Sequence, residues 1–322
     1  MTLPTSVPDS TRTAIRAAFR ALIDYAGLFP PARLPMHEAA AEYAAARNGA
    51  AAWILGRFIV PASRARELLG AVDALGVATP IPASVIVDAD LDPRRWFASA
   101  QAVLHDVAEL RRDRRMRVEA LEIPVPPLAT KRETFDAPIG QLGALLDRAG
   151  LSDLPAYAEL PRGDGWLELL EPAMAAAARA RVGAKIRCGG VTAAAFPTPA
   201  EIAAFVAAAN ASSVAFKATA GLHHPVRHLD AASGFVMHGF LNVLAAAALA
   251  PELDAAALEG VVAEEDPGAF AFDEGGFAWR DRRVGVERLS AARAGAFVAY
   301  GSCSFAEPVE DLTSMRLLPP AS

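Results

Sequence analysis

Lysine is almost missing from this chain. Of its 31 basic side chains only three are lysine (Lys131, Lys185 and Lys217), which leaves 28 arginines. Cysteine is nearly absent too: Cys188 and Cys303 lie far apart with no CxxC or zinc-type spacing, so neither a disulfide framework nor a structural metal site is signalled. No window approaches the ~20 apolar residues of a membrane span, and the N-terminus lacks the basic start and apolar block of a secretory signal. A cytoplasmic location away from membranes follows as the expectation. No basic block is long enough to track a phosphate backbone, and the net charge is −6, which argues against nucleic acid as a partner. The densest basic run, "RRDRRMR" from Arg111 to Arg117, reads as a solvated helix end or loop. A GxGxxG fingerprint is also missing, which disfavours hydride transfer on a dinucleotide, and no cofactor is signalled.

What is present is apolar surface: 53% of the 322 residues are hydrophobic, enough for a large core in one domain spanning 1–322. Short apolar segments recur near 53–60, 83–89, 117–124, 156–160, 184–189 and 213–219, about 30 residues apart in the manner of βαβ units. Helical patterns fill the gaps at 63–75, 93–110, 139–148, 166–180 and 199–210. This alternation predicts an α/β fold, a (β/α)8 TIM-type barrel over 51–322, irregular towards its C-terminal end, after an N-terminal helical extension over 1–50. "DYAGLFPPARL" (24–34) reads as a fixed turn between two helices, because its prolines forbid a helix through that point. In the last third, "FVMHGFLNVLAAAALA" reads as a helix, "ALEGVVAE" as a seventh strand and "GAFAFDEGGFAWRDRRV" as a hairpin turning at Glu274, Gly275 and Gly276. The eighth strand is not placed, and "AYGSCSFAEPVEDL" reads as an anion-binding nest or a turn.

Barrel chemistry belongs at the C-terminal ends of the strands. Ionisable groups fall near that end of nearly every predicted strand: Arg57, Asp88, Glu122, Glu159, Lys185 with Arg187, and Lys217. As a set they predict a polar pocket, in which Arg57, Glu122, Arg187, Thr219, Gly189, Gly190, Ser302 and Ser304 are the candidate substrate-binding residues.

The lysines sharpen the reading. Where arginine serves for ordinary positive charge, Lys185 and Lys217 in apolar strands invite a role that arginine cannot fill: losing a proton and attacking a carbonyl to form an imine. Burial and a neighbouring cation would lower the pKa of Lys217. Anion binding and a buried structural ion pair with Glu159 or Glu122 are the alternatives. His223 and His224 follow the sixth predicted strand and are candidate acid/base groups with Glu159. A metal site at His223, His224 and His228 serving a hydrolase or isomerase is the rival, although Pro225 works against helical alignment and the string is not HExxH. His238 reads as a satisfied helix histidine. A non-catalytic small-molecule-binding barrel is the third class.

"FKATAG", with Lys217 on the sixth predicted strand, resembles the active strand of class I, Schiff-base aldolases of the TIM-barrel type, deoxyribose-phosphate aldolase in particular. The resemblance implies a lyase in which Lys217 forms the imine and a second lysine lowers its pKa. In that family the helper follows on the next strand, whereas Lys185 precedes. "AYGSCSF" is similar to the family's terminal phosphate-binding turn. The expected partner is therefore a small, anionic carbonyl compound, with a homo-oligomer compatible and the overall look that of a bacterial protein.

Overall fold

The computed structural model describes residues 9–127, 135–163, 165–231 and 233–319. Lys131 lies outside the described residues. The β-branched and apolar segments form the parallel strands β1 (Ile23–Tyr25), β2 (Leu55–Pro61), β3 (Ile81–Ile86), β4 (Met116–Pro124), β5 (Ala156–Glu159), β6 (Gly183–Arg187) and β7 (Phe216–Thr219). Two small antiparallel sheets follow, β8 (His228–Leu229) with β9 (Val236–Met237), then β10 (Phe270–Asp273), β11 (Gly276–Trp279) and β12 (Arg282–Val284). The strand β13 (Phe297–Ser302) closes the ring between β7 and β1, so eight parallel strands form a closed barrel. The fold is the TIM-type α/β barrel, and its irregular stretch is the long crossover from β7 to β13.

Helices α1 (Asp9–Phe19), α2 (Met36–Arg47), α3 (Ala65–Ala74), α4 (Trp96–Leu110), α5 (Asp136–Gly140), α6 (Leu142–Ala149), α7 (Leu170–Ala180) and α8 (Pro199–Ala211) accompany the first seven strands. The remainder are α9 (Phe240–Leu249), α10 (Ala255–Ala263), α11 (Val286–Gly295) and α12 (Ala306–Ser314). Local chemistry sets their starts. Thr198 caps α8 by accepting from Glu201 N while the Glu201 carboxylate accepts from Thr198 N, with Pro199 in the first turn. No helix among the described residues is long and apolar enough to cross a membrane.

Three sequence expectations change. Residues 1–50 are not only a helical extension, because β1 lies within them and "DYAG" enters the barrel at Asp24. "ALEGVVAE" is helix α10, not a strand: Asp254 accepts from Ala257 N at its start, and Leu258, Val261 and Val262 bury one face at helical spacing. "AYGS" is the end of β13, the strand that the sequence did not place. The expected hairpin forms, with the Gly276 backbone at φ +123°; a Cβ there would lie 2.2 Å from Val284 O, so only glycine fits.

Candidate active site

Lys217 sits on β7 with neighbours Phe216 and Ala218 turned outward, where Phe216 meets Phe205 of α8 edge-on. Strand alternation therefore turns Lys217 inward. Its Nζ donates to Asp24 Oδ2 at 2.6 Å, Glu122 Oε1 at 2.5 Å and Ser84 Oγ at 3.1 Å, and lies 5.8 Å from the centre of the Tyr157 ring. Its register partner on β6 is Lys185. Lys185 Nζ lies 2.5 Å from Glu122 Oε2 and 2.6 Å from Glu159 Oε2. Lys217, Lys185, Glu122, Asp24 and Ser84 are all buried.

These contacts extend into one chain of alternating charge along the barrel interior. It runs from Arg187 through Glu159, Lys185, Glu122 and Lys217 to Asp24, Arg57, Glu119 and Arg117. Arg187 ends β6 at the C-terminal mouth, and Arg117 is the second residue of β4 at the opposite mouth. Glu119 and Glu122 are three residues apart and would lie on opposite faces of a regular strand. A register slip between β3 and β4, which pairs Ala83 with Val118 but Ser84 with Ala120, passes over Glu119 and lets both join the chain. A second slip, between β1 and β2, brings Gly56 and Arg57 opposite Asp24. Arg57 N donates to Asp24 Oδ1 at 2.7 Å, and a Cβ on Gly56 would stand 2.3 Å from that same oxygen. Asp24 is seated by a glycine.

The proton affinities follow from this packing. Burial opposes the charged form of Lys217, but Asp24 and Glu122 outweigh it and hold the pKa above the ordinary lysine value. Lys185 is likewise held above it, against burial, by Glu122 and Glu159. Burial pushes the Glu122 carboxyl up, yet the two ammonium groups hold it far below the usual carboxylate range. The expected lowering of the Lys217 pKa is therefore corrected. Lys185 is adjacent, but Glu122 stands between the cations and cancels their repulsion.

Other candidates fall elsewhere. Arg57 is the third residue of β2, not a late one, and faces the N-terminal mouth. Gly189 is a packing glycine, since a Cβ would lie 2.8 Å from the Phe196 ring and 2.9 Å from Gly221 Cα; a Cβ on Gly190 would meet Ala195 at 2.6 Å. Ser302 Oγ donates to Ser304 O at 2.6 Å, and Ser304 Oγ accepts from Glu307 N at 3.2 Å, so these hydroxyls shape the turn into α12. Thr219 packs against Gly301, whose Cβ would meet its hydroxyl at 3.0 Å.

The histidines face α12 instead of the lysines. His223 Nδ1 pairs with Glu307 Oε2 at 2.9 Å and His224 Nδ1 with Asp311 Oδ2 at 2.6 Å, those carboxylates standing one turn apart. His228 Nδ1 meets Val226 O at 3.0 Å. No three His, Cys, Asp or Glu side chains converge to hold a metal ion among the described residues. Of the alternative metal set, His224 and His228 do adjoin, with ring centroids 4.4 Å apart, while His223 pairs with Glu307 and the proposed glutamate, Glu159, pairs with Lys185. His238 precedes α9 instead of lying in it and reaches Pro197 O at 2.6 Å. Cys188 and Cys303 are both free, and burial pushes the Cys188 thiol up to about 12.

Sequence reasoning missed Asp24 and Ser84. Asp24 carried a signal, a single carboxylate inside the apolar string "LIDYA". Ser84 carried none, for a serine in "IPASVI" has the look of an ordinary strand residue.

No family model matches the chain, and no curated protein matches it. Among solved structures, the chain is similar to the deoxyribose phosphate aldolase of Aeropyrum pernix, described as having a unique tetrameric structure. Identity is 13%, the TM-score is 0.51, and the match covers 97% of this chain and 100% of that one. At this identity the likeness concerns the barrel fold.

Proposed function

We propose that the protein is a lysine-dependent lyase of the aldolase type, in which Lys217 forms an imine with a small anionic carbonyl compound. The observation that carries the reading is the pair of buried lysines in register on β7 and β6, sharing Glu122 inside the barrel. A lysine kept only for charge has no reason to stand in a chain that otherwise uses arginine.

In the resting arrangement Lys217 is an ammonium. Attack on a carbonyl carbon requires its nitrogen lone pair, so one proton passes to Asp24 or Glu122 as the C–N bond forms and the carbonyl oxygen takes up a proton. The oxygen receives two protons in all, one given up by the nitrogen and one returned by the carboxylate, and leaves as water while the nitrogen lone pair closes the C=N bond, giving a protonated imine. That cation takes up the electron pair of the bond between the adjacent carbon and the next one. The hydroxyl on that next carbon gives its proton to a carboxylate and closes to a carbonyl, so that an aldehyde or ketone departs and an enamine remains on the nitrogen. Asp24, Glu122 and Ser84 lie within hydrogen-bond reach of the nitrogen and suit the proton transfers. At the C-terminal mouth, the half-exposed Arg187 guanidinium offers the first site for an anionic group, with Glu159 inward of it. Like the Aeropyrum enzyme, the chain would work as a homo-oligomer.

A second reading is favoured by one observation: each buried ammonium is fully paired with carboxylates and held protonated. In that reading the barrel binds a small molecule and the lysines are structural. Exchange separates the two. Imine formation makes the α-hydrogens of a bound ketone or aldehyde acidic, so the protein should catalyse their exchange with deuterium oxide. Lys217→Arg should abolish that exchange; exchange at the native rate in Lys217→Arg, or none by the native protein across a broad carbonyl panel, supports the structural reading.

A further inference from the structure

The arginine run from Arg111 to Arg117 is more than a solvated helix end. With the N-terminal ends of β4 and β5 it bounds an open groove of about 910 Å3 on the face of the barrel opposite the C-terminal mouth. Five guanidinium groups line it, from Arg57, Arg111, Arg112, Arg114 and Arg117, against three carboxylates, an excess of two positive charges. Met116, Val118 and Leu154 supply apolar lining. Arg111 is held by Asp153, Arg112 by Glu109 and Arg117 by Glu119, which fixes their positions. Arg114 is exposed and pairs with none of the described carboxylates.

We propose that this groove binds a small phosphate-bearing anion and that Arg57 transmits its occupancy to Lys217. Guanidinium forks match phosphate oxygens in pairs, and Arg114 carries a charge that none of the described carboxylates offsets. The volume exceeds that of a bare phosphate and leaves room for an organic portion over the apolar lining. Arg57 belongs to both regions: it lines the groove, its Nε lies 3.3 Å from Glu119, and its Nη1 lies 3.8 Å from Asp24 Oδ2, the oxygen that accepts from Lys217. An anion drawing Arg57 outward leaves the Asp24 charge to Lys217 alone. The site is separate from the proposed chemistry and is read by binding, whether or not an imine forms.

The probe is inorganic pyrophosphate, titrated calorimetrically against the full chain at constant ionic strength so that general screening is held fixed. Saturable binding is expected, weakened at least tenfold in the double variant Arg114→Ser/Arg117→Ser. Both side chains are exposed and outside the core, so the fold survives the change. Absence of saturable binding, or equal binding by the double variant, overturns the site. Coupling is read from protein labelled with carbon-13 at the lysine ε position, where three lysines give three signals and Lys217→Arg assigns one. Saturating pyrophosphate should shift the Lys217 signal in the native protein and leave it in place in Arg57→Gln. A Lys217 signal unmoved in the saturated native protein, or one that shifts equally in Arg57→Gln, overturns the coupling.

Discussion

Lys217 and Lys185 are joined by a single carboxylate: Glu122 places Oε1 2.5 Å from the first ammonium and Oε2 2.5 Å from the second. Two like charges on paired strands are tolerable in the barrel centre because this anion lies between them, with Asp24 and Glu159 closing the outer sides.

Glu122→Gln keeps the volume and removes the charge, leaving two neighbouring buried cations. Removing one partner of a buried pair costs about 3–5 kcal/mol, and a loss of that size is expected in urea unfolding. Glu122→Gln/Lys185→Met removes a cation as well and should recover part of it. A double variant no more stable than the single one would show that the lysines do not repel across the site.

The same network sets an acid limit. Glu122 has its folded pKa depressed, so its stabilisation is complete above the unfolded value of about 4.5 and is lost as pH falls towards the folded one. Native stability should therefore decline steadily below about pH 4.5, and Glu122→Gln should decline less steeply over that range. The lysines act at the other extreme. With folded pKa values raised, their contribution is complete below about pH 10.5 and is lost as pH climbs above it. Parallel acid limbs in the two proteins would remove Glu122 from this role.

Lys185→Met frees Glu122 to pair with Lys217 alone, which raises the Lys217 pKa further. The pH profile of imine formation should move upward, with a slower rate at neutral pH. An unchanged profile would mean that Lys185 does not influence the nucleophile.

Two tyrosines give a stability contrast outside the site. Tyr43 donates its hydroxyl to Gly56 O at 2.6 Å, so Tyr43→Phe should cost about 1 kcal/mol in thermal or urea unfolding. The Tyr300 hydroxyl is buried with no hydrogen-bond partner among the described residues, so Tyr300→Phe should be neutral or stabilising. A substantial loss in Tyr300→Phe would reveal a partner for that hydroxyl.

Six barrel strands were legible in the sequence because each is an apolar run at a regular interval. β1 was not, for it has three residues and stands before two prolines that drew the reading towards a turn. β13 was hidden by the glycine and serine that end it, residues that equally suit a loop. Lys185, Lys217, Glu122 and Glu159 could be found because charge in an apolar strand is costly. How they connect could not be. The bridging by Glu122 depends on register, and the inward turn of Glu119 depends on a one-residue slip that no periodicity announces. The partners of the histidine cluster were not legible either, because sequence proximity to β7 says nothing of α12, which begins some eighty residues later and pairs with two of its rings.

The most direct test of Lys217 as an imine-forming nucleophile is borohydride trapping. The protein would be incubated with small aldehydes, ketones and keto acids, reduced, and mapped by peptide mass spectrometry. With three lysines in the chain the assignment is unambiguous. The account predicts a carbonyl-dependent reduced adduct on Lys217, absent in Lys217→Arg. An adduct found only on Lys131 or Lys185, or on none of the three across the panel, would contradict it.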